Sequence, residues 1–180
     1  MMKKLKLTEL GRISLEEYKD IPKVDLVVIL DNIRSAMNVG SIFRTSDAMA
    51  IQSVYLCGIS ATPPNREITK TAIGATDSVD WLYFKDTKDA ISKLKEEGYE
   101  VVAIEQTNES VELLKYQPKK NKVAIVLGNE VNGVDHLILD LLDGAIEINQ
   151  YGTKHSLNVS VCGGIVIHHL SAMMKRMNNR

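Results

Sequence analysis

Apolar runs and helical periodicities alternate along this chain from about residue 25 onward. The runs Asp25 to Leu30, Ser53 to Cys57, Tyr99 to Ile104 and Lys122 to Leu127 are nearly continuous in aliphatic residues, the pattern of strands buried on both faces. Shorter runs at Asp80 to Phe84 and Ala145 to Ile148 predict two more strands. Between them the spacing predicts helices over Val39 to Ala50, Arg66 to Ile73, Thr87 to Glu97 and Val134 to Leu142, with a final helix of about 20 residues after His155. The first of these carries its apolar stripe on Ile42, Phe43, Ser46, Met49 and Ala50, and the third is a charged amphipathic segment stopped by Gly98. Alternation of this kind predicts an α/β fold on a mostly parallel sheet, with helices on both faces.

Ahead of this pattern, residues 1 to 22 read as a polar lead-in with one short helix. Ser14-Leu15-Glu16-Glu17 has the form of a capping box, and Pro22 closes the helix. Residues 23 to 180 then form a single domain, which suits 180 residues of 20.0 kDa with 44% hydrophobic and 25% charged content. A net charge of -1 excludes a global positive field, so a nucleic-acid partner would have to meet a local basic patch. Lys3-Lys4-Lys6 and Lys175-Arg176-Arg180 are candidates. Cys57 and Cys162 lack metal-ligand spacing and read as buried thiols in a reducing compartment. With no signal-peptide h-region and no apolar stretch of membrane-spanning length, the expected location is the cytoplasm, without a membrane partner.

Three segments keep polar residues where predicted strands end: Asn38-Val39-Gly40 through Arg44, Gly128-Asn129-Glu130, and Ser156-Leu157-Asn158. In open α/β sheets ligands bind at the carboxyl ends of the strands. Asn38 reads as a helix N-cap. Arg44 lies off the apolar stripe, either as a surface ion pair with Asp47 or, projecting over Gly40, at a gap with room for substrate. The stretch Gly128 to Gly133 is not a phosphate-binding P-loop, because Val134 and Asp135 stand where its lysine and hydroxyl should be. No Gly-x-Gly-x-x-Gly follows a strand either. Ser156 is placed to cap the last helix. Asn158 falls inside the most apolar helical stretch, where an unpartnered amide costs about 1 to 3 kcal/mol and a partner or ligand is implied. Gly163-Gly164 requires a close approach to that helix, and the adjacent His168-His169 face different sides, so no metal is assigned. The apolar face Val159, Cys162, Val166, Leu170, Met173, Met174 and Met177 exceeds what one side of a sheet requires and suggests a dimer interface.

Taken together and in order, Asn38 to Arg44, Leu127 to Gly133 and Ser156 to Asn158 resemble the three motifs of the SpoU (TrmH-like) class of SPOUT RNA methyltransferases, a resemblance covering roughly residues 24 to 172. It implies a C-terminal deep trefoil knot, which general topology rules disfavour. It also implies a homodimer that transfers a methyl group from S-adenosylmethionine to a ribose 2'-hydroxyl of tRNA or rRNA. By similarity, Ile104, Glu105, Gln106, Gly128, Ile148 and Leu157 contact the cofactor. Asn38, Arg44, Glu130, Ser156 and Asn158 match the polar active-site positions. The competing expectation is a non-catalytic RNA-binding or ribosome assembly protein that retains the fold. The connection Ile59 to Thr76, with Arg66 and Lys70, is a candidate RNA contact.

Overall fold

The computed structural model describes residues 2–178; Met1 and Arg180 of the two end segments lie outside them. Seven strands, β1 (Val24–Asp31), β2 (Ile51–Cys57), β3 (Trp81–Phe84), β4 (Glu100–Ile104), β5 (Val111–Glu112), β6 (Val123–Leu127) and β7 (Gly144–Glu147), form one sheet in the order β3-β2-β1-β6-β4-β7-β5. Every pairing is parallel. The helices are α1 (Leu15–Asp20), α2 (Ala36–Met49), α3 (Arg66–Ala72), α4 (Ala75–Ser78), α5 (Thr87–Glu96), α6 (His136–Leu139) and α7 (Val159–Asn178).

Alternate side chains of the central strands feed two separate cores. Leu26, Val28 and Leu30 of β1 join Ile42 and Phe43 of α2, Ile68 of α3 and Val166 and Leu170 of α7 on one face. Val27 and Ile29 join Ala90, Ile91 and Leu94 of α5 and Ile138 of α6 on the other. The sheet is therefore covered on both sides, as its continuous apolar runs require. At the amino end, the Ser14 hydroxyl accepts from the Glu17 amide at 3.2 Å and the Glu17 carboxylate accepts from the Ser14 amide at 2.7 Å, completing the capping box of α1.

Four local readings change. Helix α2 starts at Ala36, because Ser35 and not Asn38 is its N-cap, accepting from the Asn38 amide at 3.3 Å. The helix expected over Val134 to Leu142 shrinks to the single turn α6. The amides of Val134 and Asp135 donate instead to Glu105 and Asp31, at 3.0 and 3.2 Å, which holds that stretch outside a helix. The two-residue strand β5 and the four-residue helix α4 carry too few residues for a period to show. On α7, Val166, Leu170 and Met174 are core residues against α2 and β1, so most of the apolar face read as a dimer surface is internal.

Register decides where the loops meet. Leu30 of β1 pairs with Leu127 of β6, Leu127 with Ile104 of β4, and Ile104 with Ile146 of β7. Four strands thus end side by side. The chain leaves β7, enclosed between β4 and the edge strand β5, and returns to lay α7 against α2.

Candidate active site at the carboxyl edge of the sheet

Beyond these aligned strand ends lies an open cavity of about 650 Å³. Its wall contains Ile104, Glu105, Gln106, Gly128, Ile148 and Leu157, the residues that the resemblance gives to the cofactor. Gly128 admits the fold of the loop that follows, since a side-chain carbon there would overlap the backbone of Gly133 and Val134. Asn129 shapes that loop, its side-chain oxygen accepting from the amides of Val131 and Asn132 at 2.9 and 3.2 Å while its amide group donates to the Asn32 carbonyl at 2.7 Å. Gly133 has a positive φ of 69°, a conformation that favours glycine, and a side chain there would run into the Glu105 carboxylate. Glu105 itself accepts from the amides of Gln106 and Val134 at 2.9 and 3.0 Å. Across the cavity, the Gln106 side chain donates to the His155 carbonyl at 3.1 Å.

A polar cluster adjoins this wall. The Glu130 carboxylate accepts from the Arg34 amide at 2.8 Å, the Ser35 amide at 3.0 Å and the Asn38 side chain at 3.0 Å. Burial works to raise its pKa, but these donors outweigh it and hold the carboxyl below its usual range. Asn38 passes the link on, its oxygen accepting from the Asn158 side chain at 3.2 Å. One chain of hydrogen bonds therefore joins residues from all three polar segments. Beneath it, the buried Asp31 carboxylate accepts from Thr87 at 2.6 Å, from Asn32 at 2.9 Å and from the Asp135 amide at 3.2 Å, fastening the ends of β1 and the β6 loop together.

Several expected placements are corrected. Asn158 is not in the helix interior; it is exposed and precedes α7, its side-chain oxygen accepting from the amides of Ser160 and Val161 at 2.9 and 3.3 Å. It takes the capping place expected of Ser156, which is exposed in the cavity wall. Gly40 leaves no gap for substrate, because a side chain there would overlap the Thr71 hydroxyl and the Ile68 carbonyl of α3. Its absent side chain serves helix packing. Arg44 is exposed, as its place off the stripe predicts, but it does not line the cavity. Six residues past Asn38, it stands about 9 Å farther along the axis of α2. Asp47 accepts from the Ser78 hydroxyl at 2.5 Å, and no ion pair between Asp47 and Arg44 occurs among the described residues.

Sequence reasoning missed Ser35, the Arg34 and Ser35 amides, and Cys162. Backbone amides leave no side-chain signal, although Ser35-x-x-Asn38 is a legible cap. Cys162 is half-buried in the cavity wall, and burial, aided by the Glu105 charge, pushes its thiol up to about 11. Cys57, fully buried, is pushed by burial up to about 12.

A parallel sheet with a cavity and an amide–carboxylate cluster at its carboxyl edge, and without a glycine-rich phosphate loop, defines a ligand-binding α/β domain outside the usual nucleotide folds. The chain belongs to the SpoU rRNA Methylase family, whose model matches residues 25–168. A tRNA (guanosine(18)-2'-O)-methyltransferase of Aquifex aeolicus is 33% identical over 158 residues, covering 86% of this chain and 72% of that protein. A 23S rRNA (guanosine-2'-O-)-methyltransferase of Neisseria meningitidis is 30% identical over 158 residues, which are 87% of this chain but only 62% of the relative's length. Among solved structures, the A. aeolicus TrmH/SpoU tRNA modifying enzyme superimposes with a TM-score of 0.78 at 27% identity, covering 91% of this chain and 82% of that one. An AdoMet-bound rRNA methyltransferase from Sinorhizobium meliloti gives 0.78 at 26% identity, over 87% of this chain and 60% of that one. No described helix is long and apolar enough to cross a membrane.

Proposed function

We propose that this chain binds S-adenosylmethionine in the cavity and methylates a ribose 2'-hydroxyl of tRNA or rRNA in the cytoplasm. The observation that carries the reading is the direct junction of cavity and polar cluster: Asn158 belongs to both the cavity wall and the hydrogen-bond chain to Asn38 and Glu130. The cavity suits the cofactor on its own terms. Its volume of about 650 Å³ falls in the range for small-molecule sites, and Ile148 and Leu157 offer apolar surface to an adenine while Glu105 and Gln150 offer acceptors to hydroxyl or ammonium groups. Held there, S-adenosylmethionine would supply an electrophilic methyl group on a sulfonium, with the neutral thioether as leaving group.

The chain's own residues position the acceptor. Ser156 and Asn158 hydrogen-bond the ribose, and Glu130 takes the Asn38 side-chain N–H so that the Asn38 side-chain oxygen faces the Asn158 amide group. Arg44 has five N–H donors and no acceptor, which makes it a poor general base. It binds the RNA phosphate bidentately beside the 2'-oxygen and stabilises charge developing there, and the ribose proton leaves to a phosphate oxygen or water.

Because Arg44 stands away from its own chain's cavity, the site is completed by a second copy. The surface for that copy is the exposed side of α7, where Val161 and Ile165 flank Gly164, around which a side chain would meet nothing. The stripe continues through exposed Leu157 to the cavity, so a homodimer seated on it brings Arg44 of one copy toward the donor of the other. Arg66 and Lys70, exposed on α3, extend the surface for RNA. The family's deep trefoil knot belongs to the crossover from β7 to α7.

Transfer of labelled methyl from S-adenosylmethionine to total RNA, followed by mapping of the product, tests the proposal. The expected product is one 2'-O-methyl nucleotide. Arg44→Ala is expected to reduce turnover at least a hundredfold with cofactor affinity unchanged, in the range for loss of a charge-stabilising donor. Normal turnover in Arg44→Ala, or RNA binding without cofactor binding in the wild type, overturns it; the latter outcome identifies a non-catalytic RNA-binding protein.

A further inference from the structure

Four of the six tyrosines, Tyr18, Tyr55, Tyr99 and Tyr116, are buried, and the half-exposed Tyr83 donates its hydroxyl to the Gly58 carbonyl at 3.1 Å. Tyr151 is different. It is 93% exposed, makes no hydrogen bond among the described residues, and stands on the loop that joins β7 to the cavity residues Ser156, Leu157 and Asn158. The loop is anchored on both sides of the ring. Gln150 and His155 line the cavity, and the His155 carbonyl is tied to Gln106 on the opposite wall. At the following residue, Gly152, a side-chain carbon would meet no atom within 4 Å beyond its two chain neighbours, so the loop is open there. Exposed Lys154 adds a positive charge four residues from the candidate ribose contacts at Asn158.

We infer that Tyr151 is a stacking platform for a base of the substrate RNA, at or beside the methylated nucleotide, and that the substrate is therefore met as an unpaired nucleotide. The inference rests on the RNA reading above. Methyl transfer takes place at a recess behind the strand ends, which a ribose held in a continuous duplex does not enter. A nucleotide turned out of its helix exposes its base, and an aromatic ring is the surface that accepts any base face at little entropic cost. An anchored loop carrying a free tyrosine and a lysine combines that stacking surface with phosphate attraction. A tyrosine serving only solubility has no reason to be the one aromatic left bare at this rim.

The test uses the full chain with total RNA as probe, comparing wild type with Tyr151→Ala, Tyr151→Phe and Tyr151→Trp. Tyr151→Ala is expected to weaken RNA binding and raise the apparent KM for RNA about tenfold, the scale of one lost base–aromatic stack. The Phe and Trp variants are expected to stay within about threefold of wild type, since either ring can still stack. Cofactor affinity by calorimetry and mass by sedimentation are expected to be unchanged in all three. If Tyr151→Ala leaves RNA binding and KM unchanged, or if it alters the mass and so marks a contact with a second copy, the inference is overturned. A wild type that binds RNA but methylates nothing, beside a Tyr151→Ala variant that loses RNA binding, would sustain the platform and defeat the methyltransferase reading alone. A wild type that binds no RNA defeats both.

Discussion

Glu130 illustrates how one side chain carries a constellation. A single carboxylate gathers two backbone amides from the β1–α2 turn and the Asn38 side chain, and through Asn38 it orients Asn158, which precedes α7. Hydrogen bonds to a charged acceptor are worth roughly 1.5 to 3 kcal/mol each, so weakening one in the reacting complex costs about ten- to a hundredfold in rate. In Glu130→Gln the new amide group points donors at donors, and kcat is expected to fall at least about tenfold with cofactor affinity retained. Steady-state kinetics beside calorimetry checks it. Acidity adds a signed expectation. The folded pKa of Glu130 is depressed, so its contribution to stability is fully present above the unfolded carboxyl value of about 4.3 and is lost as pH falls through the lower folded value. Denaturation midpoints of wild type and Glu130→Gln should therefore converge on acidification below about pH 4. Convergence already at neutral pH would remove the carboxylate from this role.

At the scale of elements, α2 and α3 approach so closely that Gly40 admits only a hydrogen, and the Thr71 hydroxyl of α3 donates to the Met37 carbonyl of α2 at 3.0 Å. Gly40→Ala forces a carbon into that backbone contact and is expected to destabilise the fold by about 1 to 3 kcal/mol, the usual range for overpacking, with a lowered Tm in calorimetry. A stability equal to wild type would mean that the helices part freely. This glycine also shows where sequence reading stops. Its absence of a side chain was legible, but whether a ligand or a neighbouring helix fills the space depends on how α3 docks, which no local period encodes. The long strands β1, β2, β4 and β6 were readable because burial on both faces demands unbroken apolar runs. The early start of α2 was readable only through Ser35, and the loss of the helix expected over Val134 to Leu142 not at all, since it depends on Glu105 and Asp31 capturing amides from distant sequence. The place of Asn158 escapes a periodicity for a related reason: the apolar pattern begins at Leu157, two residues before the helix itself begins at Val159.

For the whole molecule, the proposal that a second copy completes the site is open to a direct test. Ile165→Glu places a charge on the exposed side of α7, away from the core residues Val166 and Ile167. It is expected to leave the fold intact while giving a monomer in sedimentation and a loss of methyl transfer of at least a hundredfold, since Arg44 would then face no donor. A fully active monomer would show that each chain completes its own site. The strand order has one more outcome, and it concerns how the protein is made. Strand β6 occupies the slot between β1 and β4, yet it emerges from the ribosome after both of them. Until it arrives, two apolar strand edges face each other across a vacant position, and the pairing of β1 with β6 that closes one side of it is the least local in the sheet. The nascent chain is thus most prone to aggregate between the emergence of β4 and that of β6. S-adenosylmethionine offers no protection in that interval, because a ligand stabilises only a fold that already has its binding site, and Gly128 enters the wall of that site only with β6.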